Sequence, residues 1–145
     1  MAKPDLIRFR VCLAVRDPMQ CSRMEITLTD DGYEVVTFRS ARELWDSYAR
    51  CRPRYIITDR RFPDGFSALD LCRHVRQDYL VPYVYIHVLS DLSRIEEIEE
   101  ALDCGASDYS VKPLSRFQLR ARVRVGFRWL QYLDSITVSR APAGK

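Results

Sequence analysis

The chain has 145 residues, room for one domain with a good core and not comfortably for two. Its 47% hydrophobic and 30% charged content is that of a soluble globular protein, and a net charge of +3 is too mild to argue nucleic-acid binding by itself. No apolar run approaches the roughly 18 residues a membrane span needs, and the N-terminus carries no signal-peptide pattern, so a cytoplasmic location without membrane contact is expected.

Arg8 to Val15 alternates between polar and apolar and then turns apolar, which predicts a first strand. Asp17-Pro18 supplies an N-cap and a first helical residue, and helix one carries Cys21, Met24 and Leu28 on one face before stopping at Gly32. Tyr33 to Phe38 is rich in β-formers. Ser40 then caps a second helix through Leu44, Trp45 and Tyr48 to about Arg50. Pro53 opens a third strand that ends at Asp59, and helix three follows from about Phe66 to Arg76 with Ala68, Leu71, Cys72 and Val75 inward. Tyr83 to Leu89 reads as strand four, Leu92 to Cys104 as helix four, Ser107 to Val111 as strand five, and Ser115 to about Asp134 as helix five. Five strands alternating with five helices argue for an α/β domain over 1–134, a parallel sheet covered on both faces with right-handed crossovers. Residues 135–145 carry little apolar content and read as a tail or truncated linker.

Cys12, Cys21, Cys51, Cys72 and Cys104 are odd in number and scattered, with no CxxC, so neither a zinc knot nor a disulfide framework is suggested. All but Cys51 fall on predicted core faces, where free Cys acts as a small hydrophobe. His74 and His87 have no partner at metal-ligand spacing, and His87 reads as a buried, hydrogen-bonded strand residue.

Asp59 carries the functional signal. It ends the apolar run Tyr55 to Ile57 and precedes a Pro-Asp-Gly turn, Pro63 to Gly65, which sets it too early to cap the next helix. Ligands of open α/β sheets gather beyond the carboxyl ends of the strands. There strands one, three, four and five present Arg16 and Asp17, Asp59, Ser90 and Asp91, and Lys112. A lone carboxylate with a hydroxyl and an ammonium nearby suits phosphoryl chemistry, Asp59 as nucleophile and Ser90 and Lys112 holding the phosphoryl oxygens. A small flavodoxin-like enzyme is not supported, because no Gly-rich phosphate loop or second catalytic acid is visible.

With Asp59 followed by Pro63, Ser90 ending strand four, Gly32 to Val36, and the run Gly105 to Pro113, residues 8–134 resemble the receiver domain of bacterial two-component response regulators. The resemblance implies a flavodoxin-like (βα)5 three-layer sandwich with strand order 2-1-3-4-5. It also implies Asp59 as phosphoacceptor, Ser90 as switch hydroxyl, Lys112 as the family lysine, and a cis Lys112-Pro113 bond. Tyr109 matches the switch aromatic, although a half-exposed strand aromatic explains it equally well.

The two acidic residues that receivers place after strand one to hold Mg²⁺ are here Val15 and Arg16. Three arrangements satisfy this departure. Asp17 bends inward and, with Asp59 and the Arg61 carbonyl, makes a weakened metal site; or Arg16 replaces the metal by pairing with Asp59; or Arg16 points to solvent. Asp91 either repels phosphate or caps helix four, the capping role being the stronger, and Arg60 and Arg61 make the rim basic, attracting an anion or standing solvated. The leading expectation is a phosphorelay receiver with phosphoacceptor Asp59 and a degenerate Mg²⁺ site, using Mg²⁺ if it is phosphorylated and otherwise no cofactor. The alternative is a phosphorylation-independent pseudo-receiver acting by protein interaction. The resemblance implies a sensor histidine kinase or phosphotransfer protein as partner. It also implies a homodimer in which Arg116, Arg120, Arg124 and Arg128 of helix five face Glu96, Glu97, Glu99 and Glu100 of helix four, although a solvated arginine face explains that stripe as simply. Nucleic acid is not expected.

Overall fold

The computed structural model describes residues 9–78, 82–92 and 94–139. Strands and helices alternate through them: β1 (Arg10–Ala14), α1 (Pro18–Asp30), β2 (Glu34–Phe38), α2 (Ala41–Cys51), β3 (Tyr55–Asp59), α3 (Ala68–Arg76), β4 (Tyr85–Ser90), α4 (Ile95–Asp103), β5 (Asp108–Val111) and α5 (Arg116–Ser139). Every strand pair is parallel and the order is β2-β1-β3-β4-β5, the flavodoxin-like arrangement expected. β3, at the centre, is buried at all its residues, which is why it reads as a continuous apolar run rather than an alternating one.

Side chains alternate across the sheet and build a core on each face. Cys12, Ile56, Ile86 and Val88 meet Leu44, Leu71 and Ala101 of α2, α3 and α4. Val11, Leu13, Tyr55 and Ile57 meet Leu28 of α1 and Leu119, Val123, Phe127 and Leu130 of α5. Tyr55 stacks on Tyr85 and Phe127, and Gly126 of α5 lies directly over its ring: a Cβ there would come 2.3 Å from Tyr55 Cε2.

Helix starts follow their caps. Asp17 accepts from the Met19 amide, Ser40 from Glu43, and Ser67 and Asp70 form a reciprocal capping box, which starts α3 at Ala68. α4 begins at Ile95, after Arg94 with no side-chain cap, so Asp91 does not cap it as expected. At the other end α5 continues past the expected stop at Asp134 to Ser139; 140–145 lie outside the described residues. Arg54 grips Asp134 with two bonds of 3.0 Å, fastening this part of α5 to the strand entry. The first residue of the expected first strand, Arg8, also lies outside the described residues.

All five cysteines are free. Cys12 and Cys72 are fully buried, Cys21 and Cys104 half-buried, and Cys51, not expected in the core, lies against Cys12.

His87 is buried between Tyr55 Oη at 3.3 Å and Ser110 Oγ at 2.7 Å, with the Asp108 carboxylate 4.0 Å away. Burial pushes its pKa from 6.5 down to about 4, against the pull of Asp108 and with some help from Arg122. The fold therefore holds the neutral ring. As pH falls from 6.5 to about 4, the unfolded chain takes up a proton that the folded one does not, and stability drops by on the order of 3 kcal/mol. Urea unfolding at stepped pH should show that limb, and His87→Gln should flatten it; an unchanged slope in the variant would exclude His87 as the source.

Candidate functional site

The carboxyl ends of β1, β3, β4 and β5 do converge. Asp59, the last residue of β3, is 2% exposed. Its Oδ2 accepts the Arg16 amide N–H at 2.7 Å, and its Oδ1 pairs with the Lys112 ammonium. The Lys112 backbone is fixed by donating to the Ser90 carbonyl at 2.8 Å, and Lys112-Pro113 is cis. Ser90 is buried beside the carboxylate, its Oγ accepting from the Leu92 amide at 3.2 Å. Asp59, Ser90 and Lys112 thus share one cleft, together with Arg16 and Asp91.

Arg16 is the residue that sets this cleft apart. Its Nε lies 3.7 Å from Asp59 Oδ2 and its Nη2 4.0 Å from Asp91 Oδ2, so the guanidinium bridges two carboxylates. It does not point away into solvent, although its side chain is 45% exposed. Asp17 does not bend inward: its Oδ1 is occupied by the Met19 amide on the surface. Val15, the other replaced position, is buried and apolar. Among the described residues no group of three or more His, Cys, Asp or Glu is placed to hold a metal ion.

The two arginines after Asp59 part ways: Arg60 is buried against α4, whereas Arg61 stays in solvent, 60% exposed, and pairs at the surface. Arg60 is 5% exposed, donating to the Glu97 carbonyl at 2.8 Å and Glu100 Oε2 at 3.0 Å, with its guanidinium 6.0 Å from the centre of the Tyr109 ring. Arg61 donates to Glu97 Oε1 at 2.9 Å, and that guanidinium holds the Glu97 carboxyl below its ordinary range. Sequence reasoning missed this clamp on α4; the available signal was a pair of carboxylates three residues apart on one helix face. Tyr109 is half-buried, and its enclosed hydroxyl makes no hydrogen bond among the described residues.

Charges expected at a dimer surface are partly spent within one chain. Glu97 and Glu100 serve Arg60 and Arg61, while Arg120 and Arg124 both pair with Asp31 at the end of α1. Phe117, Val125, Trp129 and Tyr132 remain as exposed apolar residues of α5.

A model of the response regulator receiver domain matches residues 11–124. The DNA-binding response regulator MtrA of Mycolicibacterium smegmatis is 28% identical over 124 residues, 86% of this chain and 53% of that protein. The probable transcriptional regulator ycf27 of Porphyridium aerugineum is 34% identical over 104 residues, 70% of this chain and 40% of its own length. The chain thus spans about half the length, or less, of these curated relatives. Among solved structures, a putative response regulator from Chloroflexus aurantiacus superposes with a TM-score of 0.75 at 26% identity, over 83% of this chain and 98% of that one.

Proposed function

Because the chain belongs to the response regulator receiver family, we propose that it is a two-component signalling receiver in which Arg16, rather than Mg²⁺, supplies the positive charge beside Asp59. The observation that carries this is the Arg16 guanidinium set between Asp59 and Asp91 while Asp17 stays at its cap. Receivers use Mg²⁺ when phosphorylated. Mg²⁺ demands hard oxygens in near-octahedral array. Of the expected donors Asp17, Asp59 and Arg61, the first gives its Oδ1 to the Met19 amide and the second pairs with Lys112, with the Arg16 guanidinium beside it. These residues do not fit the metal. In this reading Asp59 works as a charged anchor, phosphoryl transfer to it is slow or absent, and the domain signals through the partners it binds.

A second reading keeps Asp59 as phosphoacceptor with a degenerate Mg²⁺ site. The placement of Ser90 and Lys112 around the carboxylate favours it. Incubating the protein with acetyl phosphate, with and without Mg²⁺, separates the two. Intact-mass measurement should show no phosphoryl increment; a Mg²⁺-dependent increment that Asp59→Asn abolishes would overturn the first reading and establish the second.

Sensor kinases or phosphotransfer proteins are the partners of such domains, and we place the protein in the cytoplasm. Among the described residues no helix is long and apolar enough to cross a membrane. A homodimer through α4 and α5 would rest on Leu102, Val111, Phe117 and Trp129 more than on charge, since the acidic and basic rows are partly satisfied within the chain. MtrA is described as DNA-binding; the mild net charge here gives no reason to extend that to this chain.

A further inference from the structure

Cys12 and Cys51 take no part in the Asp59 site. Cys12 is the middle residue of β1 and fully buried; Cys51 is the last residue of α2, 9% exposed, between the exposed Arg50 and Arg52. Their sulfurs lie 2.9 Å apart, one thiol donating to the other. A covalent disulfide measures about 2.05 Å, so a shift of less than about 1 Å would close it. Beside the pair, the Arg10 guanidinium donates to the Cys51 carbonyl and to Glu34.

The two thiols are unequal. The hydrogen bond with Cys12, helped by the Arg10 charge, lowers Cys51, while that same bond and burial push Cys12 up. A lowered thiol near the surface is the one that attacks an oxidant, and a close neighbour is the one that resolves it. The remaining cysteines lack this setting: burial raises Cys21 and pushes Cys72 up to about 12.

We propose that Cys12 and Cys51 form a reversible thiol–disulfide site, oxidised by hydroperoxides, that staples the end of α2 to β1. The Cys51 thiolate attacks one peroxide oxygen, the O–O bond breaks, and the departing hydroxide takes up a proton, leaving Cys51 as a sulfenic acid. The Cys12 sulfur then attacks that sulfur; the S–O bond breaks, and the hydroxide released takes the Cys12 proton and leaves as water. In sum, two thiols and one hydrogen peroxide give one disulfide and two waters. A dithiol reductant reverses the bond by exchange.

Peptide mapping of the unaltered protein tests this. The reduced chain is treated with hydrogen peroxide, unfolded, capped with N-ethylmaleimide and digested with trypsin. Cleavage after Arg but not before Pro isolates Cys12 on Val11–Arg16 and Cys51 on Cys51–Arg54. The expected result is an intact-mass loss of about 2 Da before capping and a Val11–Arg16/Cys51–Arg54 linked peptide that dithiothreitol separates. Capped thiols at both positions after peroxide, a linkage of either to another cysteine, or Cys51 driven to the sulfinic acid beside a free Cys12 would each overturn the proposal.

Discussion

Arg16→Asp should turn a slow or silent Asp59 into a Mg²⁺-dependent phosphoacceptor. The substitution removes a cation standing 3.7 Å from Asp59 Oδ2 and puts a hard oxygen donor where the guanidinium lay. The backbone N–H that Arg16 gives to Asp59 is kept, so the carboxylate should hold its position. Two unit charges at 4 Å interact by about 4 kcal/mol near a protein surface, but Arg16 is 45% exposed and solvent screens much of that. Retaining about 1.4 to 3 kcal/mol, the gain in phosphorylation rate by acetyl phosphate should be roughly 10- to 100-fold and should vanish without Mg²⁺. Arg16→Ala separates the two contributions, relieving the cation without adding a ligand, and should gain less. The readout is the rate of the phosphoryl mass increment across a Mg²⁺ series. Equal rates in Arg16→Asp and the parent would show that Arg16 is not what restrains the site.

Gly126→Ala should destabilise the domain, although helix propensity alone says the reverse. Ala is better than Gly inside a helix by about 1 kcal/mol, and Gly126 sits well inside α5. The new Cβ would come 2.3 Å from Cε2 and 3.1 Å from Cδ2 of Tyr55. That ring cannot step aside: it is fully buried, stacked on Tyr85 and Phe127, and its hydroxyl is bonded to His87. Overpacking a rigid site costs about 1–3 kcal/mol and occasionally more. The clash should win, with a net loss of about 1–2 kcal/mol and a Tm lower by roughly 3–7 °C. Val125→Ala, at the exposed neighbouring position, should change Tm little and serves as the control. A raised Tm in Gly126→Ala would mean that α5 can shift away from β3.

The architecture was legible because its signals are local. A buried parallel strand is a short apolar run, and caps such as Ser40 and Asp17 announce a helix within a few residues. Strand alternation then brings Asp59, Ser90 and Lys112 to one edge without any knowledge of their contacts. What escaped were partners distant in sequence. Arg60 lies 40 residues from Glu100 and Cys12 lies 39 from Cys51, and no period links either pair. Asp91 was misjudged for a related reason: an acid before an amphipathic stretch resembles a cap, but α4 starts only at Ile95 and the carboxylate faces Arg16 instead. Asp31, ending α1, gave no hint that it would gather two arginines of α5. The run of α5 beyond Asp134 was not legible, because low apolar content marks no helix end by itself, and the Arg54 grip on Asp134 is a tertiary contact that no local signal carries.

One peptide bond joins Asp59 to Arg60, and Arg60 holds α4 through Glu100 and the Glu97 carbonyl. Thermodynamic coupling between two binding sites is reciprocal. A protein that binds α4 and draws Glu100 away from Arg60 would, if that displacement reaches Asp59, change the affinity of the Asp59 cleft for its own ligand. That ligand would change the affinity of α4 for the protein by the same factor. Coupling through the clamp would then have no fixed direction, and either end would serve as the input.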